Sequence, residues 1–199
     1  MKGYFGIGVE GISKPMNVGA VLRTAHAFGA SFVFTVDRQT DQVDFGWSNT
    51  SSTENAVPYY DFADAEALTL PRGCVLVGIE LMDDSIDLPS FRHPRQAAYV
   101  LGSERFGLSP GMAARCAHVV KIPTRFSINL SLAGALVMYD RVLTLGRFAP
   151  RTVRSGGPTE ALPDHVQGAL VRRSARTGPE DPEDPDVDGS AVPPARLPR

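Results

Sequence analysis

Polar residues that could contact a substrate fall in three short segments, each at the start of a predicted helix or after a predicted strand. Asn17 and Arg23 belong to the first predicted helix, Glu104 lies in a glycine-rich turn, and Ser127 and Asn129 precede a long apolar helix. Each has a simpler role available, as a helix cap or as a solvated or paired charge. In an open α/β sheet, however, ligands bind outside the carboxyl ends of the strands. The three segments together therefore predict one site.

The loops beside these residues are suited to holding a flat ring. The apolar run 97–101 ends in the turn 102–107, and the run 118–122 stops at Pro123. Loops that follow strands offer backbone N–H and C=O groups, which are strong hydrogen-bonding groups. A heteroaromatic ring such as adenine can be held by those groups alone.

A dinucleotide-binding motif is matched near the N-terminus, at Gly6-Ile7-Gly8-Val9-Glu10-Gly11. The dinucleotide mechanism needs these glycines after the strand, where they open a helix. Here Gly6 and Gly8 fall inside the predicted strand, and Pro15 separates them from the helix. The motif is therefore a weak indication of a nucleotide-dependent oxidoreductase.

A serine-hydrolase motif is matched at Gly107-Leu108-Ser109-Pro110-Gly111. A nucleophile elbow needs a strand directly before the serine and triad partners after it. The strand ends well before Ser109, and the later histidines are only His118 and His165. Ser109 followed by Pro110 instead indicates the cap and first residue of a short helix.

Apolar runs that alternate with amphipathic segments predict an α/β fold in the order β-α-β-(α)-β-β-α-β-α, with about five parallel strands. The predicted strands are 4–9, 31–36, 74–79, 97–101 and 118–122. The predicted helices are 18–28 with Asn17 as cap, a short one at 64–68, one starting at 108–112, and 130–145.

Two segments lie outside this pattern. The polar stretch 37–58 is long for a compact domain, so it is either a ligand-contacting loop, with Arg38 among its polar residues, or a surface loop. Residues 150–199 hold many prolines and an acidic run and have no aromatic residue. We expect this tail to be largely disordered, with a helix near 164–176, and the catalytic domain to be residues 1–149.

Composition excludes several classes of protein. No run approaches the ~18 apolar residues of a membrane span, and the first residues lack the apolar region of a signal peptide, so a cytoplasmic protein is expected. The formal net charge is −2, with only three lysines, which gives no global electrostatic footprint for nucleic acid. Cys74 and Cys116 are expected to be buried thiols, and no zinc spacing is present.

Segments 17–25, 101–109 and 122–133 resemble the three motifs of the SpoU (TrmH-like) branch of the SPOUT superfamily of RNA methyltransferases. The first resembles N-x-G-x-x-x-R, the second G-x-E-x-x-G-L-S, and the third I-P followed by S-L-N-V-S-V-A. The resemblance covers about residues 1–147. The segment 124–126 is shorter than is usual in the family and lacks its glycine, Ile128 replaces a leucine, and Asp140 replaces a glutamate.

The resemblance implies a parallel sheet of about five or six strands with a C-terminal trefoil knot. It also implies a homodimer that uses S-adenosylmethionine, without a metal, to methylate a ribose 2′-hydroxyl of tRNA or rRNA. The implied catalytic residues are Asn17, Arg23, Glu104, Ser127 and Asn129, with Asn17 and Arg23 reaching the site of the other chain. The implied cofactor-binding residues are Ile79, Glu80, Leu101, Gly102, Ile122, Ser127 and Leu130.

Two other functions stay open on the sequence. One is a catalytically silent RNA-binding or assembly factor on the same fold, which would bind RNA without the cofactor. The other is the oxidoreductase, which would bind a nicotinamide nucleotide. Base methylation also stays open, because related knotted enzymes methylate either the base or the ribose.

Overall fold

In the part of the chain that the structure describes, seven strands form one sheet, and every pairing between them is parallel. In chain order they are β1 (Tyr4–Glu10), β2 (Phe32–Val36), β3 (Tyr59–Phe62), β4 (Val75–Ile79), β5 (Ile86–Asp87), β6 (Gln96–Leu101) and β7 (His118–Lys121). Across the sheet the order is β3-β2-β1-β6-β4-β7-β5. The expected parallel α/β fold is therefore confirmed.

The structure is a computed structural model that describes residues 3–39, 57–146 and 148. The interpretations of most of the 37–58 loop and of the tail 150–199, including its helix at 164–176, lie outside the described residues. Arg38, at the start of the loop, forms an ion pair with Asp61 at 3.0 Å.

The expected number of strands was too low, because both edge strands were missed. β3 has the sequence Tyr-Tyr-Asp-Phe, with Tyr60 and Asp61 exposed, and β5 is only two residues long and exposed. Edge strands are commonly short and polar, so neither one produces the buried apolar run from which the other five were recognised.

Three helices of more than one turn lie in the described part of the chain: α1 (Pro15–Ala27), α2 (Pro110–Arg115) and α3 (Leu130–Leu145). The prediction of α3 is confirmed. The start of α1 was wrong, because Pro15 begins the helix and Asn17 lies in its first turn rather than at its cap. The short helix at 64–68 was also wrong; this segment is a turn in which Asp64 accepts from the Ala67 N–H over 2.7 Å. No described helix is long and apolar enough to cross a lipid bilayer.

Helices cover both faces of the sheet, which explains why the central strands are apolar throughout. Along β6, Tyr99 and Leu101 join the larger core cluster with residues of α1 and α3, whereas Ala98 and Val100 join a second cluster with Met112 of α2. Gly6 and Gly8 of β1 leave room for the rings of Phe32 and Phe34, since a Cβ at either glycine would approach a ring to 2.2–2.4 Å. Packing between strands therefore accounts for two glycines of the dinucleotide-like motif.

The carboxyl ends of the three strands that precede the predicted cofactor residues are level with one another. Ile79 of β4 pairs with Leu101 of β6 on one side and with Val120 of β7 on the other. The residues that follow, Glu80 and Gly102, therefore emerge at one edge of the sheet, together with Ile122.

Arg141 fixes the far part of α3 to the opposite end of the sheet. Its side chain is 1% exposed, and its guanidinium donates to the carbonyls of Tyr4, Pro94 and Arg95 and to the Tyr99 hydroxyl. The fork of an arginine suits several acceptors at once. The start of α3 is thereby held relative to the strand ends.

His93 ties the segment before β6 to the same helix. Its Nδ1 lies 2.6 Å from the Tyr99 hydroxyl and its Nε2 lies 2.9 Å from Oδ2 of Asp140. Burial lowers the pKa of His93, although the hydrogen bond and charge of Asp140 act in the opposite direction. Neutral imidazole is therefore favoured in the folded chain.

Candidate functional site

A cleft of about 350 Å³ opens where β4, β6 and β7 end and α3 begins. It brings together Gly102, Ile122 and Leu130, which are far apart in sequence. All of the predicted cofactor-binding residues line it: Ile79, Glu80, Leu101, Gly102, Ile122, Ser127 and Leu130. Its volume lies within the range of about 300–1,000 Å³ that is typical of small-molecule sites.

The glycine turn 102–107 forms one wall of this cleft and is tightly closed. Ser103 and Gly107 exchange two backbone hydrogen bonds of 3.0 and 2.9 Å. A Cβ at Gly102 would lie 2.1 Å from the backbone carbon of Gly107, so only glycine fits there. Gly107 has a φ of +70°, a conformation that favours glycine. The backbone of the turn is therefore fixed before any ligand binds.

Glu80 supports this turn with its side chain. Its carboxylate accepts from the Leu108 N–H and from the Leu81 N–H, each over 2.9 Å. The same carboxylate lies so close to Gly107 that a Cβ there would approach Oε2 to 2.5 Å. Glu80 thus lines the cleft and also holds the turn that forms its wall.

A second, larger cavity of about 910 Å³ adjoins the cleft. The two share Ser103, Glu104, Gly107 and Leu130 in their walls. The larger cavity also contains Asn17, together with Lys14 at the start of α1. A small molecule in the cleft and a second substrate in the larger cavity would therefore meet at the glycine turn and the first residue of α3.

Glu104 lies at this junction and is held from two sides. The amide of Asn17 donates to Oε1 over 2.8 Å, and the Lys14 ammonium forms an ion pair with Oε2. The hydrogen bond from Lys14 lowers the pKa of Glu104, the hydrogen bond from Asn17 and the charge of Lys14 add to the effect, and partial desolvation opposes it. At neutral pH Glu104 is therefore a carboxylate directed between the two cavities.

The other predicted catalytic residues are placed differently. Asn129 caps α3, since its Oδ1 accepts from the N–H and the hydroxyl of Ser131 over 2.9 and 2.6 Å, and it lines the cleft together with Ser127. Arg23 is exposed on α1 and lines neither cavity. A single chain thus brings together four of the five residues. Asn17 is one of them, although the resemblance implied that it would reach the site of the other chain.

Sequence reasoning missed Glu10, which is 6% exposed at the end of β1. Its carboxylate accepts from the N–H and the hydroxyl of Ser109 over 2.8 and 2.6 Å. Ser109 in turn caps α2 by accepting from the Met112 N–H over 3.1 Å, so its interpretation as a cap is confirmed. Partial burial, with a contribution from the charge of Glu10, raises the pKa of the nearby Cys116 to about 11. Cys74 and Cys116 were expected to be buried, but each is only half-buried. In the sequence, the only signal for the contact between Glu10 and Ser109 was an acidic residue directly after the predicted strand 4–9.

Three further residues line the larger cavity. Lys14 was missed, whereas Asp37 and Gln39 lie at the start of the 37–58 stretch, for which a ligand-contacting loop was one of the two interpretations. Asp37 has a φ of +48°, which is uncommon for a residue other than glycine, and it accepts from the Gln39 amide over 2.9 Å. Within the described ranges there is no group of three or more His, Cys, Asp or Glu side chains that could hold a metal ion.

Comparison with protein families gives a match over residues 5–139 to the model of the SpoU rRNA Methylase family. The resemblance drawn from the three motifs is therefore confirmed. The matched range begins in β1 and ends in α3, so it contains both cavities and the strands that form them.

Individual relatives extend this result. The chain is 28% identical to a mouse tRNA (guanosine(18)-2′-O)-methyltransferase over 65% of its length and 9% of that protein's. It is 26% identical to the Escherichia coli K12 tRNA (guanosine(18)-2′-O)-methyltransferase over 66% of its length and 60% of the relative's. The chain thus spans less than two thirds of either relative.

A solved structure matches the fold. An AdoMet-bound rRNA methyltransferase from Sinorhizobium meliloti superposes with a TM-score of 0.64 at 23% identity, covering 73% of this chain and 58% of that one. At this level of identity, the similarity shows a shared fold.

Proposed function

Because the chain belongs to the SpoU rRNA methylase family, we propose that it is an S-adenosylmethionine-dependent methyltransferase that acts on a ribose 2′-hydroxyl of tRNA or rRNA. The observation that carries the proposal is the cleft formed by Gly102, Ile122 and Leu130 beside a second cavity that shares its wall. Two adjoining cavities suit a reaction that transfers a group between two bound molecules. The names of the tRNA methyltransferases among the relatives support the substrate class.

The walls of the cleft fit an adenosyl group. Ile79, Leu101, Ile122 and Leu130 provide apolar surfaces for a flat ring, and the backbone at Gly102 can approach a ligand closely because it carries no side chain. When bound, S-adenosylmethionine supplies a methyl group on a positively charged sulfur, a chemistry that requires no metal. Ser127 and the backbone of the glycine turn are placed to hold its polar atoms.

The chain's own residues would position and activate the ribose. A hydroxyl is a poor nucleophile until it begins to lose its proton, and it must approach the methyl carbon in line. Ser127 and Asn129 line the cleft at the start of α3 and would orient the ribose. Glu104, which stays ionised next to Lys14, would hold the first turn of α1 against the site. The guanidinium of an arginine is a cation, so Arg23 would stabilise the negative charge that develops on the ribose oxygen while its proton passes to an RNA phosphate oxygen or to water.

We further propose that two copies of the chain pair through α1 and α3. The α3 apolar face, consisting of Leu132, Leu136 and Tyr139, is 41–57% exposed, and Met16 at the start of α1 is 69% exposed. Their spacing along α3 places the three residues on one side of the helix. Because Arg23 lines neither cavity of its own chain, a second copy would bring its Arg23 to the site.

The trefoil knot expected from the family also belongs to this proposal. The sheet order supports it, since β7 lies between β4 and β5, two strands that come earlier in the chain. We likewise propose that the catalytic domain is residues 1–149, which contain every residue of the site. A substrate of tRNA or rRNA is consistent with a cytoplasmic enzyme.

The proposal is tested by methyl transfer from radiolabelled S-adenosylmethionine to unmodified tRNA and rRNA transcripts. We expect transfer by the wild-type chain and its loss in Arg23→Ala and Asn129→Ala, with the circular dichroism of both variants unchanged. Ile86→Ala, on the edge strand β5, is the control. Full activity in both variants would refute the assigned site. RNA binding without any binding of S-adenosylmethionine would favour the catalytically silent factor.

A further inference from the structure

Phe106 is the most exposed large apolar side chain of the described residues, with 79% of its surface accessible. It lies at the tip of the glycine turn 102–107, next to Glu104. Single exposed apolar residues are common on proteins and require no explanation. Three further observations distinguish Phe106.

The first is that the turn holds Phe106 at the surface. The Phe106 N–H donates to the Ser103 hydroxyl over 3.1 Å, and the two backbone hydrogen bonds between Ser103 and Gly107 close the turn around it. Gly107 packs so close to Glu80 that a Cβ at this position would lie 2.5 Å from Oε2 of the carboxylate. These bonds hold the backbone of the turn, which keeps Phe106 at the surface and its ring accessible to a ligand.

The second observation is the residue beside it. The guanidinium carbon of Arg105 lies 5.1 Å from the centroid of the Phe106 ring. Within the part of the chain that the structure describes, no other aromatic ring packs against Phe106. An aromatic ring next to an arginine is a combination that stacks on unpaired bases while the cation attracts the phosphate backbone.

The third observation is the position of Phe106 and Arg105 relative to the two cavities. Phe106 and Arg105 line the cavity of about 910 Å³, and neither lines the smaller cleft. Three carboxylates also line that cavity, from Glu10, Asp37 and Glu104. Because carboxylates repel the phosphates of RNA, attraction of RNA to the cavity depends on the cations beside them. Among the described residues that line it, the lysine and arginine side chains are Lys14 and Arg105. Lys14 is paired with Glu104, which leaves Arg105 as the cation next to the aromatic ring.

We propose that Phe106 and Arg105 form a stacking platform for an unpaired base of the RNA, at or next to the nucleotide whose ribose enters the site. This inference rests on the proposed function, because it presumes an RNA in the larger cavity. It adds a base-binding site at the tip of the turn that also forms a wall of the cleft. The ligand is an RNA base, bound through its ring face and therefore without a strong preference for base identity.

The test measures how tightly the wild-type chain and its variants bind a single-stranded RNA oligonucleotide that carries 2-aminopurine. The fluorescence of 2-aminopurine reports whether the base is stacked. We expect Phe106→Ala to weaken binding about tenfold, as removing a stacked aromatic does, and to abolish the fluorescence change. Phe106→Trp should retain both, and Phe106→Leu should behave like the alanine variant. Phe126→Ala is the matched control, since Phe126 is 76% exposed but lines neither cavity; it should behave like wild type.

Several results would overturn the platform. One is wild-type binding by Phe106→Ala, and another is wild-type binding by Phe106→Leu, which would indicate a plain apolar contact. A lower mass by light scattering in Phe106→Ala, with the fluorescence change retained, would show that a second copy of the chain covers the ring. Calorimetry with S-adenosylmethionine checks that the variants are folded. If the wild-type chain does not transfer a methyl group to RNA, the proposed function is refuted. If the wild-type chain methylates RNA and Phe106→Ala binds and methylates it equally well, only the platform is refuted.

Discussion

The side-chain amide of Asn17 donates a hydrogen bond to Oε1 of Glu104 over 2.8 Å, and this contact joins two segments that lie 87 residues apart in sequence. Asn17 is in the first turn of α1, and Glu104 belongs to the glycine turn after β6. Lys14 binds the other carboxylate oxygen of Glu104. The junction between the two cavities is therefore built from the start of α1 and one carboxylate.

This contact predicts that Asn17 and Glu104 act as a unit. We expect Asn17→Ala and Glu104→Ala each to lower kcat/KM for methyl transfer by about tenfold or more, because small displacements of positioning groups are costly. The double variant should be little worse than the poorer single variant, as is usual for residues that share one interaction. Steady-state kinetics with tRNA transcripts measure this. Losses that multiply in the double variant would show that the two residues work independently.

The α3 apolar face predicts a dimer that one charge can disrupt. Leu136→Glu places a carboxylate on this face, so the mass measured by light scattering should fall from that of two chains to that of one. Ile86→Glu is the matched control, because Ile86 is 39% exposed compared with 41% for Leu136, and it lies on β5. A wild-type chain that is monomeric, or a Leu136→Glu variant that stays dimeric, would contradict the assignment of this face.

Arg141 is predicted to be the most sensitive polar position of α3. Arg141→Met removes the buried donors to the carbonyls of Tyr4, Pro94 and Arg95 and to the Tyr99 hydroxyl. The Tyr99 hydroxyl keeps its contact with His93 and the Arg95 carbonyl keeps the Tyr4 N–H, so only part of this network is left without donors. Each buried acceptor that is left without a donor costs about 1–3 kcal/mol. Urea unfolding should show a loss of this size, and Arg141→Lys should recover little of it because an ammonium lacks the fork. A loss as small as that of a surface substitution would argue against the anchoring role.

His93 predicts a dependence of stability on pH. Burial lowers its pKa in the folded chain below the ordinary value of 6.5, so between those two values the unfolded chain binds a proton that the folded chain does not. Stability is therefore full above pH 6.5 and declines as the pH falls toward the lowered pKa. Urea unfolding across this window should show the decline in the wild-type chain and a weaker one in His93→Gln. An identical pH dependence in both would assign the effect to other groups.

Local patterns were sufficient for the elements that position the site. Apolar periodicity after Asn129 predicted α3 at its observed bounds, and buried runs predicted β4, β6 and β7. Three polar segments at strand and helix ends predicted one site, and four of the five implied catalytic side chains line the two cavities. The strands and α3 depend on residues that are neighbours in sequence, which is why a sequence can report them. The convergence of the three segments followed instead from the rule that ligands bind at the carboxyl ends of strands and from the family resemblance.

The missed features depend on residues that are distant in sequence. Glu10 and Ser109 lie 99 positions apart, and Lys14 and Glu104 lie 90 apart, so nothing local marks either pair. The prediction that Asn17 caps α1 was wrong because the helix begins earlier, at Pro15. The side-chain amide of Asn17 contacts Glu104 instead. The edge strands β3 and β5 have partners on one side only and lack the apolar run of a central strand.

We propose that the cleft at the ends of β4, β6 and β7 binds the adenosyl group of S-adenosylmethionine, and a crystal structure of the full chain grown with that compound would test this. We expect electron density for the adenosyl group among Gly102, Ile122 and Leu130, with the methyl group directed toward Glu104 and the larger cavity. Density for the compound at another place on the chain, or an empty cleft at saturating concentration, would contradict it.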